Sequence, residues 1–362
     1  MTTANPQNTE QATVQLAHGS GGSMMQSLIR DIFVQAFGNI QLEDAASISL
    51  AGSGANRADT QISLSTDSYV VQPLFFPGGD IGRIAVCGTV NDVATSGAQP
   101  VCLSVSFILE EGLPLADLKR IVASMANTAK EAGVTIVTGD TKVVGKGQAD
   151  GIFINTTGVG QLPAGRTPLL ARAILAGDLI LLSGSLGDHG MCIMSQREEL
   201  SFAADLSTDA APLNHMIADV LAAAPDTRCF RDPTRGGLAS TLNELADAAK
   251  VRMTIEERSV PVKPAVQGAC EMLGYDVFQV ANEGKMVAIV PHEQVEAALA
   301  AMKASPYGKD ATIIGKIEPL SDEEKCEHSL LNQGNFKVQL RNAFGATRVM
   351  DTLVGEQLPR IC

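Results

Sequence analysis

Apolar residues in the first half of the chain switch between strand spacing and helix spacing. Short apolar runs predict strands at residues 62–66, 101–109, 134–138 and 152–159. The apolar face of one predicted helix recurs every three or four residues, at Leu115, Leu118, Val122, Met125 and Ala129. Gly133 is placed to end that helix, and a glycine-rich segment at 18–23 opens another. This alternation predicts an α/β domain.

The second half of the chain repeats the alternation. It predicts a strand at 178–183, a glycine loop at 184–190, further helices and a closing β-α-β unit over 286–317. Proline and glycine at 163–165 indicate a domain boundary. The predicted organisation is a disordered tail, an N-terminal domain, a C-terminal domain and a C-terminal tail with little core, at 1–13, 14–165, 166–320 and 321–362.

Charge and cysteine usage narrow the class of protein. The net charge of −13 repels nucleic acid and anionic membranes, so we expect neither as a partner. The seven cysteines are odd in number, scattered and free of CxxC pairs, which argues against a disulfide framework or a zinc site. The sequence has no apolar leader segment and no apolar run long enough to span a membrane. We therefore predict a cytoplasmic enzyme.

Acidic and glycine-rich clusters fall at predicted strand ends and in loops. They are Asp67, Gly78-Gly79-Asp80, Asn91-Asp92, Gly139-Asp140-Thr141-Lys142 and the segment 231–237. A single aspartate at a turn usually bonds only its own backbone. Several converging carboxylates can bind a divalent cation, and glycine loops at helix starts offer N–H groups to phosphate. Together the clusters predict a metal–nucleotide site, although the loop at 19–22 lacks the Gly-Lys-Ser/Thr of a P-loop.

The last residue of the sequence is a cysteine, Cys362. It is not fourth from the end, so it is not a prenylation site. The internal cysteines of apolar stretches are predicted to be small core residues. The terminal thiol, by contrast, is free of packing demands and could carry a chemical group into a pocket.

Several segments resemble the HypE family of hydrogenase maturation factors. They read AHGSGG, TDSYVVQPLFFPGGDIGRIAVCGTVNDVATSGAQP, VTGDTKVV, RDPTRGGL, NEGK and the terminal PRIC. Most are shared in looser form with aminoimidazole ribonucleotide synthetase, selenophosphate synthetase and thiamine-monophosphate kinase, whereas the PRIC ending is typical of HypE. The resemblance implies a two-domain α/β (α+β) PurM-like fold, a homodimer formed through the N-terminal sheet, and a flexible C-terminal tail.

The resemblance also implies roles for individual residues. Cys362, Glu283 and Lys142 match the catalytic positions. Asp67, Asp92 and Asp232 match Mg²⁺ ligands. Matches to the ATP-binding positions are His18, Gly19, Gly21, Gly22, Asp67, Asp80, Asn91, Asp92, Asp140 and Thr141.

The implied reaction takes place on the terminal thiol. A carbamoyl group, received from the carbamoyltransferase HypF, is dehydrated with ATP to a thiocyanate, and its cyanide goes to hydrogenase iron on a HypC–HypD scaffold. Phosphorylation of the carbamoyl oxygen provides a leaving group, and a carboxylate such as Glu283 can remove protons from the nitrogen.

Two alternatives remain open from the sequence. One is another ATP-dependent synthetase of the superfamily, making selenophosphate or aminoimidazole ribonucleotide. Selenium chemistry would be expected to use a cysteine, and the N-terminal glycine region has none. Neither of the two reactions needs a terminal cysteine. The other is a non-catalytic thiol carrier, for which the set of matched charged residues would be superfluous.

Overall fold

The computed structural model describes residues 13–38, 42–50, 60–198, 206–320, 338–352, 358 and 361–362. Within them the chain forms two large mixed sheets and a two-stranded ribbon, with helices packed against the sheets. The predicted α/β class is confirmed. The predicted N-terminal tail lies, apart from residue 13, outside the described residues. Among the described residues, no helix has both the length and the apolar run needed to cross a bilayer.

The N-terminal sheet has five strands in the order β1-β2-β7-β5-β6. Its strands are β1 (Ala46–Leu50), β2 (Thr60–Tyr69), β5 (Gln99–Glu110), β6 (Thr135–Val144) and β7 (Ile152–Gln161), and the ribbon is β3 (Phe75–Phe76) with β4 (Gly79–Asp80). Only β5 and β6 pair in parallel, because α4 (Leu115–Ala132) connects them as a crossover. The predicted strands of this half are therefore present.

Two helices pack on this domain. Helix α3 (Ile81–Thr95) is buried along nearly its whole length and contacts β2, β7 and α4. Its first turn is capped by Asp80, whose carboxylate accepts hydrogen bonds from the N–H groups of Gly82 and Arg83. Helix α4 buries only an apolar stripe and ends at Gly133, whose φ of +73° is the left-handed conformation predicted for it.

The strands of the N-terminal sheet also expose large apolar side chains to solvent. The large exposed residues of its strands are Ile48, Leu50, Val101, Ile108, Ile136, Val137 and Val143. Strand β6 is exposed at all but its last residue and is an edge strand. An apolar surface of this kind commonly marks an interaction site.

The C-terminal sheet has seven strands in the order β14-β13-β10-β12-β8-β11-β9. They are β8 (Leu179–Leu182), β9 (Cys229–Arg231), β10 (Arg252–Glu256), β11 (Val287–Val290), β12 (Thr312–Glu318), β13 (Val338–Arg341) and β14 (Thr347–Val349). The helices here are α5 (Asp188–Arg197), α6 (Asn214–Ala223), α7 (Gly237–Ala249), α8 (Pro264–Leu273) and α9 (Val295–Ala304). Strands β8 and β11 are almost wholly buried because separate apolar clusters cover the two faces of the sheet.

The N-terminal glycine segment leads into α1 (Ser23–Leu28), a π-helical stretch at Ile29–Val34 and α2 (Gln35–Phe37). The predicted helix is therefore present, and Phe33, within its π-helical stretch, is exposed.

Residues near the C-terminus differ from the expectation of a tail with little core. Strand β13 pairs in parallel with β10, and Val338 and Leu340 are buried in the C-terminal core. The expectation was wrong for this segment because its short β-alternation was masked by charged neighbours. Next to the last residue, Ile361 lies in an apolar cluster that consists mostly of N-terminal-domain residues.

Candidate functional site

A small cavity of about 110 Å³ lies between the two domains. Its walls are Asp44, Asp67, Ser68, Tyr69, Gly88, Asp92, Asp232, Thr234, Arg235, Glu283 and Cys362. Five carboxylates and the terminal thiol therefore share one space. Five of the sequence-predicted site residues, from four separate segments, meet here: Asp67, Asp92, Asp232, Glu283 and Cys362.

Three of the carboxylates form a compact cluster. Oxygens of Asp44, before β1, Asp92, in α3, and Asp232, after β9, lie within 4.8 Å of one another. Burial, together with repulsion from Asp67, raises the pKa of Asp232 to about 6. Burial also raises the pKa of Asp92, with added repulsion from Asp67 and Asp232. Such crowding costs free energy unless protons or a cation neutralise it.

The acidic cluster fits a hard divalent cation. An oxygen of Asp44 is buried and has no hydrogen-bond partner, which leaves it available as a ligand. Asp44 was not predicted as a site residue, and Asp67, which was predicted as a ligand, lines the cavity beside the cluster. The signal for Asp44 was weak: a lone acidic pair, Glu43-Asp44, ahead of a strand. Arg231 ion-pairs with both residues of that pair, at 2.8 Å each, and so fixes their loop.

Tyr69 forms the floor of the cavity beside Asp67. Its hydroxyl donates to Asp67 at 3.3 Å and lies 3.2 Å from the hydroxyl of Thr89. Burial, together with the nearby Asp67, raises the pKa of Tyr69, so the phenol stays protonated. Helix α3 passes so close to the ring that any side chain at Gly88 would overlap the hydroxyl.

Glu283 is buried in the loop before β11, with 4% of its surface exposed. Burial raises its pKa well above the ordinary value, and Asp232, Asp209 and Asp67 add repulsion. Its backbone N–H donates to Asp209 at 3.1 Å. The neighbouring Asn282 donates to the carbonyl of Pro233 at 2.9 Å, which joins this loop to the one carrying Asp232. The carboxyl is therefore a tuned, well-positioned acid–base group.

The terminal thiol lies beside Glu283. The pKa of Cys362 is raised to about 12, mainly by burial; Arg235 opposes the shift, and Glu283 contributes to it through charge and a hydrogen bond. The thiol is thus protonated and unreactive in this position. The buried internal cysteines Cys87, Cys192 and Cys229 also have raised thiol pKa values, as expected for core residues.

The glycine segment lies next to Arg235, in an adjoining cavity of about 150 Å³ that shares Asp44, Asp232, Thr234 and Arg235. A Cβ at Gly21, where φ is +79°, would come within 2.6 Å of the Arg235 carbonyl. Arg235 also donates to the carbonyl of Gly19 at 3.3 Å. The sequence placed Arg235 in a charged cluster without giving it a role; the structure puts it between thiol, glycine segment and carboxylates.

Other predicted residues lie elsewhere. Lys142, Asp140 and Thr141 lie on exposed β6, where the Lys142 ammonium pairs with Asp140 at 2.7 Å. Within the described part of the chain, the hydrogen bonds of the His18 ring are to Gln15 of its own turn. The amide of Asn91 is used by the backbone of the C-terminal domain, at Ala211 and Leu213. Asp80 caps α3, as described above.

Family models match both halves of the chain. Residues 42–162 match the N-terminal domain of AIR synthase related proteins, and residues 176–324 match the C-terminal domain. The matches fall on either side of residue 165, although the four domain limits drawn from the sequence stay predictions.

Relatives match almost the whole chain. The carbamoyl dehydratase HypE of Rhodobacter capsulatus is 50% identical over 349 residues, which are 96% of this chain and 98% of the relative. A crystal structure of a HypE–HypF complex matches with a TM-score of 0.80 at 45% identity, covering 90% of this chain and 100% of that one. A structure of HypE in complex with ATP matches with a TM-score of 0.78 at 46% identity, covering 97% and 100%.

Proposed function

The chain belongs to the HypE family of carbamoyl dehydratases, which confirms the resemblance and the two-domain fold, and from this premise we propose the reaction that it carries out. Its own Cys362 is the substrate thiol. An S-carbamoyl group on that thiol is dehydrated with ATP to an S-cyanide, which supplies the cyanide ligand of the iron in [NiFe]-hydrogenase.

One observation carries this proposal: the last residue of the chain lies in the same cavity as Glu283 and the acidic cluster. A synthetase acting on a diffusible substrate would have no reason to bury its own terminus there. The superfamily alternatives therefore have less support, and so does a passive carrier, which would not need a tuned carboxyl beside its thiol.

The proposed dehydration has two stages, phosphorylation of the carbamoyl oxygen and elimination of phosphate. The carbamoyl oxygen attacks the γ-phosphorus of ATP, the bond between the γ-phosphorus and the bridging oxygen breaks, and ADP leaves. The nitrogen loses two protons, the carbon–oxygen bond breaks and phosphate departs, leaving a carbon–nitrogen triple bond on sulfur. Glu283 is the proposed acceptor of one nitrogen proton, since its raised pKa makes its carboxylate a stronger base, and the other proton leaves with the departing phosphate.

We propose that Asp44, Asp92 and Asp232, with Asp67 beside them, hold Mg²⁺ and that the adjoining glycine segment and Arg235 contact the nucleotide. The ion, when bound, supplies charge neutralisation at the phosphates. The roles of His18, Asp80, Asn91, Asp140 and Thr141 in nucleotide binding stay predictions.

Exposed apolar side chains of the N-terminal sheet support the proposed homodimer, since a second copy would cover residues such as Val101 and Val137. The proposed partners are HypF, as carbamoyl donor, and HypC–HypD, as cyanide acceptor, in the cytoplasm. The match to a HypE–HypF complex supports the first of these.

The proposal is tested by following the mass of the C-terminal peptide. The protein is incubated with HypF and carbamoyl phosphate, and Mg-ATP is added as a separate second step. A carbamoyl gain on Cys362 followed by loss of one water only with ATP supports the dehydratase. Consumption of ATP with an unmodified Cys362 would instead favour a small-molecule synthetase, and carbamoylation without dehydration would favour the carrier.

A further inference from the structure

The last two residues of the chain are bound as a ligand would be. The side chain of Ile361 is 2% exposed and belongs to the same apolar cluster as Val71, Phe76 and Ile193, which come from both domains. The carbonyl oxygen of Ile361 lies 2.7 Å from Nε2 of His189. A terminal oxygen of Cys362 accepts a hydrogen bond from the backbone N–H of Val70 at 3.0 Å.

The imidazole of His189 is held in one tautomer. Its Nδ1 lies 2.8 Å from the hydroxyl oxygen of Thr208. That oxygen accepts a hydrogen bond from the backbone N–H of Ala210 at 3.1 Å. The hydroxyl hydrogen of Thr208 is therefore free to point at Nδ1, and Nε2 carries the ring hydrogen that Ile361 accepts. The residue is fully buried in α5, and burial lowers its pKa, so the ring is neutral.

We propose that His189, the Val70 N–H and this apolar socket form a docking site for a C-terminal apolar-residue–cysteine dipeptide, in which His189 is a positioning residue for the thiol of Cys362. The docking site itself does not depend on the proposed function. Only its role in dehydration, which is to place the thiol beside Glu283, rests on that function. The recognised features are a backbone carbonyl, a terminal carboxylate and a branched apolar side chain.

The strength of the site suits a tail that must leave and return. Each hydrogen bond stabilises the docked state by about 0.5–1.5 kcal/mol net. Burial raises the pKa of the docked thiol, so Cys362 is more reactive toward a carbamoyl donor once it has left the cavity. Loss of the His189 donor should raise the undocked fraction about 3- to 10-fold by the same scale.

The test is alkylation of Cys362 in the full-length protein, without ATP or a carbamoyl donor, followed by the mass of the C-terminal peptide. The variant His189→Leu removes the donor, while His189→Gln retains an N–H near the Nε2 position. We expect Cys362 to be alkylated about 3- to 10-fold faster in His189→Leu than in the wild type. His189→Gln should restore most of the protection, which a loss of packing alone would not allow. His215→Leu, at an exposed histidine of α6, is the matched control and should leave the rate unchanged.

Alkylation of the buried Cys87 and Cys192 in the same samples shows whether the fold is intact. If His189→Leu exposes them as well, Ile361→Ser serves as the second variant. It removes the apolar side chain that fills the socket and should speed alkylation of Cys362 alone. Unchanged alkylation of Cys362 in either variant while its fold is intact overturns the docking site. The readout needs no catalysis, so failed dehydration and failed docking are told apart.

Discussion

The cavity between the domains and strand β6 contain the same kinds of residue in opposite settings. In the cavity, Glu283 and the carboxylates of the acidic cluster are desolvated and have raised pKa values. On β6, Asp140 and Lys142 are mostly exposed and neutralise each other, and the hydrogen bond from Lys142 lowers the pKa of Asp140. Only the first arrangement stores unfavourable electrostatic free energy that a cation or a substrate proton can relieve.

A charged motif at a strand end therefore becomes reactive only when the fold packs other charged or apolar groups against it. The segments containing Asp92, Asp232 and Glu283 are brought together because helix α3 and two loops of the C-terminal domain meet there. Strand β6 faces solvent in a single chain, so its motif needs a second surface before it can act on a substrate.

The largest effect should come from Glu283→Gln. The change keeps the size of the side chain but removes the proposed base, so carbamoylation should persist while dehydration falls by at least about 100-fold, the lower end for general-base removal. The measurement is the ATP-dependent loss of water from the C-terminal peptide. Glu271→Gln, on the exposed side of α8, is the control. Dehydration at the wild-type rate in Glu283→Gln would move the base to another residue.

Strand β6 is tested by mixing two inactive proteins. Lys142→Ala should slow dehydration by about 10- to 100-fold if that residue assists proton removal. Because Lys142 does not line the cavity of its own chain, it would have to act in the cavity of a partner subunit.

Mixed dimers of Lys142→Ala and Glu283→Gln would then contain one complete site each. Random mixing should restore roughly a quarter of wild-type dehydration, since half of the dimers of a two-fold oligomer are mixed and one of their two sites is complete. Each protein alone provides the baseline. Subunit exchange must first be verified. If dehydration then fails to recover in the mixture, Lys142 acts within its own chain or has no role in the reaction.

The sequence predicted most of the fold because strand and helix spacings are local. The helix at Leu115–Ala132 and its glycine end were predictable from periodicity alone. The sequence also identified five site residues that meet in one cavity: Asp67, Asp92, Asp232, Glu283 and Cys362. It could not show that Asp44 joins them, because that contact depends on an ion pair with Arg231, nearly 190 residues away. Nor could it show the exposure of β6, which depends on the edge position of that strand.

The acidic cluster predicts a pH-dependent response to magnesium. The raised pKa of Asp232 means that its contribution to stability is present below its ordinary pKa and lost as pH rises through about 6. Bound Mg²⁺ should reverse that loss, so the rise in Tm on adding Mg²⁺ should be larger at about pH 7.5 than at about pH 5. Differential scanning fluorimetry with Mg²⁺ or EDTA measures it.

Asp44→Asn is the matching variant. It removes one charge from the cluster and should weaken Mg²⁺ binding at least about 10-fold, the loss that even an outer-shell change can cause. Asp219→Asn, exposed on α6, is the control. An equal Mg²⁺ response in Asp44→Asn and the wild type would remove Asp44 from the site.

The smallest effect is expected at Asp80, which the sequence assigned to nucleotide binding and whose carboxylate caps α3. Asp80→Ala leaves two N–H groups at the start of that helix without their acceptor and should cost about 1 kcal/mol of unfolding free energy. Asp117→Ala, which removes an ion pair between the half-buried Asp117 side chain and the exposed Arg120 on α4, should cost less than about 0.5 kcal/mol. Urea unfolding measures both. If Asp80 also contacts nucleotide, the stabilisation gained from Mg-ATP will shrink in Asp80→Ala. If Asp80 acts only as a cap, that gain will equal that of the wild type, because Asp80 does not line the cavity.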